Sequence, residues 1–352
     1  MTLFKRRASS YLRLVLATLH GKGKCMTMST TPPPAEAWAS HSADILPKQK
    51  RGVVISNCQC LPLAAWLSVL SSDRIFDFWG VHLIDPTQRE TEIKAFADKA
   101  KADYDCILSI PLSEDFLELS SERITDTFAG IPVIIISNIY FSGFHPDQTY
   151  IGGLSQRVTG PLGDAHSKLA IHGFMTGQTV EQTLRLFCTE TYAKLGYFEE
   201  FSASFGELTK RDATVNVPIT QHLKETLKTN LCFYSFNHPT ALVFSNYAAH
   251  IMSHLSALGL AKPSGYPPDP SLCAVTLAES IIFPVYPEIA AHHGVPHIGS
   301  YTFKPAGPWV NPISLKQFLT LEFEAFKQVG RETLALSHAA QNIAAQFNVL
   351  SA

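Results

Sequence analysis

Four short runs of nearly unbroken apolar residues, at 52–56, 78–84, 104–110 and 131–137, constrain this chain more than any other feature. A sheet with one wet face reads as apolar and polar residues in alternation, whereas continuous runs mark strands covered on both faces. Helical patterns separate the runs, one at 61–70 with Pro62 in its first turn and one at 88–102 with charge on its outer face. Strand, helix and strand in this order predict an α/β fold, a mostly parallel sheet flanked by helices. Ligands of such sheets gather outside the carboxyl ends of the strands, so the residues just after each run are the ones to inspect.

Beyond residue 150 the pattern turns helix-rich. Helices are expected at 166–176, 179–195, 198–210 and 219–228, from 236 to about 258, and from 314 to about 347, with an irregular glycine-rich stretch at 151–163. The organisation read from this is a leader at 1–50, an α/β catalytic domain at 51–303 and a C-terminal helical extension at 304–352. The start of the leader is basic, without Asp or Glu before Lys24, and Pro32-Pro-Pro34 follows. A disordered leader is expected, with residues 1–24 able to touch a membrane surface weakly.

Composition excludes several classes. A formal charge of −2 offers no basic excess for nucleic acid, and no stretch of 18 apolar residues supplies a transmembrane helix. Seven dispersed cysteines, an odd number, do not form a disulfide framework and fit a reducing, cytoplasmic setting. Cys58-Gln-Cys60 has no second Cys or His pair at zinc-site spacing, so no metal is expected.

Four segments carry candidate chemistry. Ser56-Asn57-Cys58-Gln59 ends the first strand. A thiol at the mouth of the following helix would have its pKa lowered by the dipole, and nearby N–H groups, with Asn57 or Gln59, could hold an oxyanion. Plain packing of a small hydrophobe is the equal alternative. Ser142-Gly-Phe-His145-Pro-Asp147 offers a base and a carboxylate, or simply a turn. In Gly163-Asp-Ala-His166-Ser167-Lys168, Asp164 would cap a helix whose first turn presents an anion site. Asn237-His238-Pro239 sets a histidine at another helix mouth, with Pro239 in its first turn.

Asn57-Cys-Gln59, Phe141-Ser-Gly-Phe-His-Pro-Asp147, Gly163-Asp-Ala-His-Ser167 and Phe236-Asn-His-Pro239 together resemble, in the same order, the WcbI-type polysaccharide (capsule) biosynthesis acetyltransferase family. The resemblance covers about 51–259. This chain departs from the family pattern with Ser56 in place of a Gly and Ala165 in place of an aromatic. It implies coenzyme A or acetyl-coenzyme A as co-substrate and a carbohydrate acceptor. The expected function is acyl transfer to a sugar hydroxyl, with Cys58 as nucleophile or pocket wall and His238 or His145 as base. Arg157, His166, Ser167, Lys168 and Lys304 are the candidates for the cofactor. A cysteine-nucleophile glycan esterase and a non-catalytic carbohydrate- or nucleotide-binding domain are the competing readings. By analogy of fold alone, the shape is loosely like the SGNH hydrolases.

Overall fold

The structure is a computed structural model that describes residues 49–153, 157–295, 300–307 and 310–350. All but the last two residues of the expected leader lie outside the described residues.

Strand β1 (Lys50–Ser56) is followed by α1 (Cys60–Leu70), β2 (Arg74–Gly80), α2 (Arg89–Asp103), β3 (Cys106–Ser109), α3 (Ile124–Thr127) and β4 (Val133–Ile135). The four strands form one parallel sheet in the order β2-β1-β3-β4. Val53, Val54 and Ile55 are fully buried because β1 lies inside the sheet. Gly52 is required there: a Cβ would come within 2.7 Å of the Phe76 ring. Helix α1 is apolar nearly all round, as befits a helix covered on several sides. It packs against β2 and against a long helix from the second half of the chain.

The chain continues through a short antiparallel hairpin, β5 (Gln148–Tyr150) and β6 (Ala165–Ser167), into α4 (Lys168–Met175), α5 (Val180–Leu184), α6 (Thr189–Lys194), α7 (Glu200–Asp212) and α8 (Thr220–Leu227). A second hairpin, β7 (Phe233–Ser235) and β8 (His238–Pro239), leads into α9 (Ala241–Ala257), the helix that covers α1. After α10 (Pro287–His293), the pair β9 (Thr302–Phe303) and β10 (Ile313–Ser314) opens α11 (Leu315–Val329), α12 (Arg331–Ala335) and α13 (His338–Phe347). A Ser314–Gln317 capping box starts α11. Its buried face, Phe318, Leu319, Glu322, Phe323 and Phe326, turns toward the domain, with Phe318 stacked on Phe303 at 4.0 Å.

The fold class matches the expectation, while several boundaries differ for physical reasons. The second strand begins at Arg74 rather than 78 and stops at Gly80. Arg74 tolerates burial because its guanidinium bonds the Leu260 and Arg51 carbonyls and pairs with Asp105. His166 and Ser167 lie in β6, so α4 starts later than 166. Pro239 lies in β8, and Thr240 is the N-cap of α9. The expected helix at 314–347 is three helices, the first break falling at Gly330, whose φ of 86° is left-handed.

Candidate functional site

Two strand exits and one hairpin meet at the carboxyl end of the sheet. The sheet winds outward from β1 in both directions, so the exit of β1 is a topological switch point. Cys58 stands there, partly exposed, in the turn between β1 and α1. The Asn57 carbonyl accepts from Cys60 N at 3.0 Å. Its side-chain Oδ1 accepts from Gln59 N at 3.1 Å and weakly from the Cys58 thiol at 3.9 Å. Its Nδ2 donates to Asn138 Oδ1, at the β4 exit, at 3.1 Å.

Gln59, expected as an oxyanion donor, instead clamps the site together. Its Nε2 donates to the Ile139 carbonyl at 2.6 Å and to the Asn237 carbonyl at 2.9 Å, and its Oε1 accepts from Ile139 N at 3.3 Å. The side chain is buried, and this is how polar atoms tolerate burial.

Beside Cys58 lies Tyr150, a residue that no sequence argument singled out. The Asn237 side chain hydrogen-bonds its hydroxyl, and the Arg157 guanidinium sits 3.8 Å over its ring. Burial pushes this phenol up to about 12, with Arg157 pulling the other way. Burial also pushes the Cys58 thiol up to about 12, and Cys60 adds to the rise. The expectation of a thiol acidified by a helix dipole is therefore corrected. Desolvation outweighs the N–H groups, and the thiol keeps its proton at neutral pH.

Neither candidate base pairs with the thiol. His145 is wholly buried, and burial pulls it down to about 3, with a Phe283 backbone bond pulling the other way. His238 is half-buried with its Nδ1 unpartnered; burial pulls it down to about 4, an Ile281 backbone bond opposing and His82 adding to the fall. The two imidazoles sense each other, and both are neutral at pH 7.

Asp147 does not orient His145. It is wholly buried and accepts from Ser167 Oγ, Leu169 N, Tyr197 Oη and Tyr286 Oη at 2.5–2.9 Å. The anion expected at the mouth of α4 is thus the protein's own carboxylate, with Ser167 as the N-cap where Asp164 was expected. His166 lies inside the fold, its Nδ1 3.0 Å from Glu322 of α11 and its Nε2 3.0 Å from the Val158 carbonyl. Burial opposes its charge, but Glu322 and the carbonyl lift it above its usual value. Lys304, expected at the cofactor, directs its ammonium to the carbonyls of Ala278, Ser280, Pro305 and Gly307. Arg157 makes a long ion pair of 3.9 Å with Asp164, and Lys168, its pKa lowered by burial, has no carboxylate within ion-pair distance among the described residues.

Buried polar atoms without partners include Ser56 Oγ, Gln148 Nε2, His238 Nδ1 and Thr240 Oγ1 in these segments, and Trp66 Nε1, Glu118 Oε2 and His293 Nε2 elsewhere. Such atoms cost stability unless something else satisfies them, a role that a polar ligand could fill for those at the strand exits.

Fold and site together define a parallel-sheet α/β protein with a thiol at the switch point of its ligand-binding edge. The family model described as polysaccharide biosynthesis enzyme WcbI matches residues 51–260, and the chain belongs to that family of enzymes. A comparison with curated proteins gives no significant match. Among solved structures, the chain is similar to one described as WcbI, a novel polysaccharide biosynthesis enzyme, in native form without a disulfide bond between coenzyme A and one of its cysteines. The identity is 17% and the TM-score 0.62, over 86% of this chain and 97% of that one, a likeness of fold.

Proposed function

We propose that the chain is a coenzyme A-dependent acyltransferase of surface-polysaccharide biosynthesis, moving an acyl group, acetyl in the simplest case, to a sugar hydroxyl in the cytoplasm. The observation that carries this reading is the partly exposed Cys58 at the switch point, with Asn57 and Tyr150 beside it and Asn237 bonded to Tyr150. Family membership supports the pathway, and the coenzyme A–cysteine bond named for the structural neighbour supports the co-substrate.

The unpartnered atoms at the strand exits fit a ligand with amide and hydroxyl groups, as coenzyme A has. It supplies the acyl group as a thioester. Arg157 and Lys168 are the cations able to meet its phosphates.

Direct transfer fits the site better than a covalent acyl-cysteine. The Cys58 thiol holds its proton and has no basic partner among the described residues. His238 is neutral at pH 7, the protonation state a general base needs, and its low pKa makes it a weak one. It takes the proton of the acceptor hydroxyl as that oxygen bonds to the thioester carbonyl, and returns it to the departing sulfur as the C–S bond breaks, so that the coenzyme leaves as a thiol. Asn57, Asn237 and Tyr150 are placed to donate to the developing oxyanion. Cys58 forms the wall at the sulfur end.

Calorimetric titration with coenzyme A and acetyl-coenzyme A tests this. Micromolar binding is expected for the native protein and for Cys58→Ala, with loss in Arg157→Ala. Cys58→Ala should still transfer acetyl groups. An absence of binding by a folded protein would sink the proposal, and loss of transfer in Cys58→Ala with binding intact would restore the covalent route.

A further inference from the structure

We propose that the cleft beside Tyr140 is the acceptor subsite, and that it takes an uncharged glycosyl unit through its hydroxyls. The inference rests on the acyl-transfer reading above.

Position comes first. Tyr140 follows Ile139, whose backbone holds Gln59, so the cleft begins one residue from the Cys58 turn. The Tyr140 ring packs on Phe236 at 4.8 Å, and Phe236 packs on Tyr150 at 4.9 Å. Phe236 also immediately precedes Asn237 and His238. The cleft and the thiol therefore share one aromatic wall.

Size and chemistry follow. The cavity holds about 440 Å³, within the range of small-molecule sites. Tyr140, 37% exposed, forms one side, and Ser142, Glu200, Ala203, Ser204, Glu207 and Arg211 line the rest. Glu200 accepts from Ser142 Oγ at 2.5 Å through Oε1, which leaves Oε2 without a bonded donor among the described residues. Arg211 gives one Nη2 donor to the Tyr140 carbonyl at 2.7 Å and a long Nε contact to the Glu207 carbonyl. A guanidinium has five N–H donors, so others face the cleft or solvent. Paired acceptors and donors beside an aromatic ring suit vicinal hydroxyls, which donate to a carboxylate and accept from a guanidinium.

Charge decides between ligands. Glu207 pairs with Lys210 at 2.6 Å, and Arg211 lines the cleft together with Glu200, so two carboxylates meet two cations there. A cleft whose charges are already balanced has no surplus cation for a pyrophosphate or a uronate. Coenzyme phosphates and sugar acids are disfavoured here, and a neutral sugar is not.

Saturation-transfer NMR with the full chain, with and without coenzyme A, tests the assignment. The probes are the methyl glycosides of glucose, mannose and galactose, methyl glucuronide and UDP-glucose. At least one neutral methyl hexoside should bind, and Glu200→Gln and the rim variant Glu207→Gln should weaken it by about tenfold, the loss of a charged hydrogen bond, with coenzyme A affinity unchanged. A preference for the glucuronide or UDP-glucose would overturn the proposal. So would hexoside binding that neither variant alters, or no hexoside binding by protein that holds coenzyme A. Hexoside binding without any coenzyme A binding would overturn the acyl-transfer reading while upholding the glycoside cleft.

Discussion

A single side-chain amide, that of Gln59, reaches backbone groups on two segments far along the chain, and it fixes where the neighbouring thiol points. Two of its three bonds are buried and the third is partly so, and removing the amide would leave the Ile139 and Asn237 backbone groups unpaired. Gln59→Leu keeps the shape and loses the bonds. It should lower stability by about 2–4 kcal/mol, read from the urea midpoint at unchanged slope. A loss below about 1 kcal/mol would mean that water replaces the clamp. At this scale the sequence was partly legible: Asn57, Cys58, Gln59 and Asn237 do converge. Tyr150 was missed because nothing local marks it, and it matters through what a distant hairpin brings to it. The thiol pKa was misread because a helix mouth can be seen in the chain, whereas desolvation depends on everything packed around it.

Between elements, the contact most sensitive to pH joins β6 to α11 through His166 and Glu322. His166 holds its proton more tightly in the folded protein than in the unfolded chain. The folded state thus binds more protons as pH rises from about 6.5, the unfolded value, through the raised folded one. The His166 share of this stability is complete below about 6.5 and falls across that window, while Glu322, raised by its burial, adds a fall that begins at lower pH, in the ordinary carboxylate range. Glu322→Gln should flatten this slope, and breaking a buried pair should cost about 3–5 kcal/mol at pH 6. Equilibrium urea unfolding between pH 5.5 and 8.5 checks both, and an unchanged slope in the variant would rule the pair out as its source. Element types were readable where packing follows local periodicity, as in β1 with its three consecutive branched residues. The hairpins β5–β6 and β7–β8 were not, since their two- or three-residue strands are largely polar. Asp147, for example, holds Ser167 and the start of α4 through bonds that no hydrophobic pattern records.

For the molecule as a whole, Gln49–Ala352 forms one compact unit. Removing residues 304–352 takes away the buried face of α11, uncovers Phe303, and leaves His166 buried without its carboxylate. The truncated chain should lose its cooperative thermal transition, seen by calorimetry and near-ultraviolet circular dichroism. A sharp transition retained after truncation would show that 304–352 is an independent appendage. The clamp also has a bearing on synthesis. Its bonds span 80 and 178 residues, so a chain growing from its N-terminus carries Cys58 long before the residues that position it. Contacts of such separation form late, after the entropy of closing long loops has been overcome. Half-made or misfolded copies are therefore inactive by construction, and in refolding, activity would return with the slowest phase.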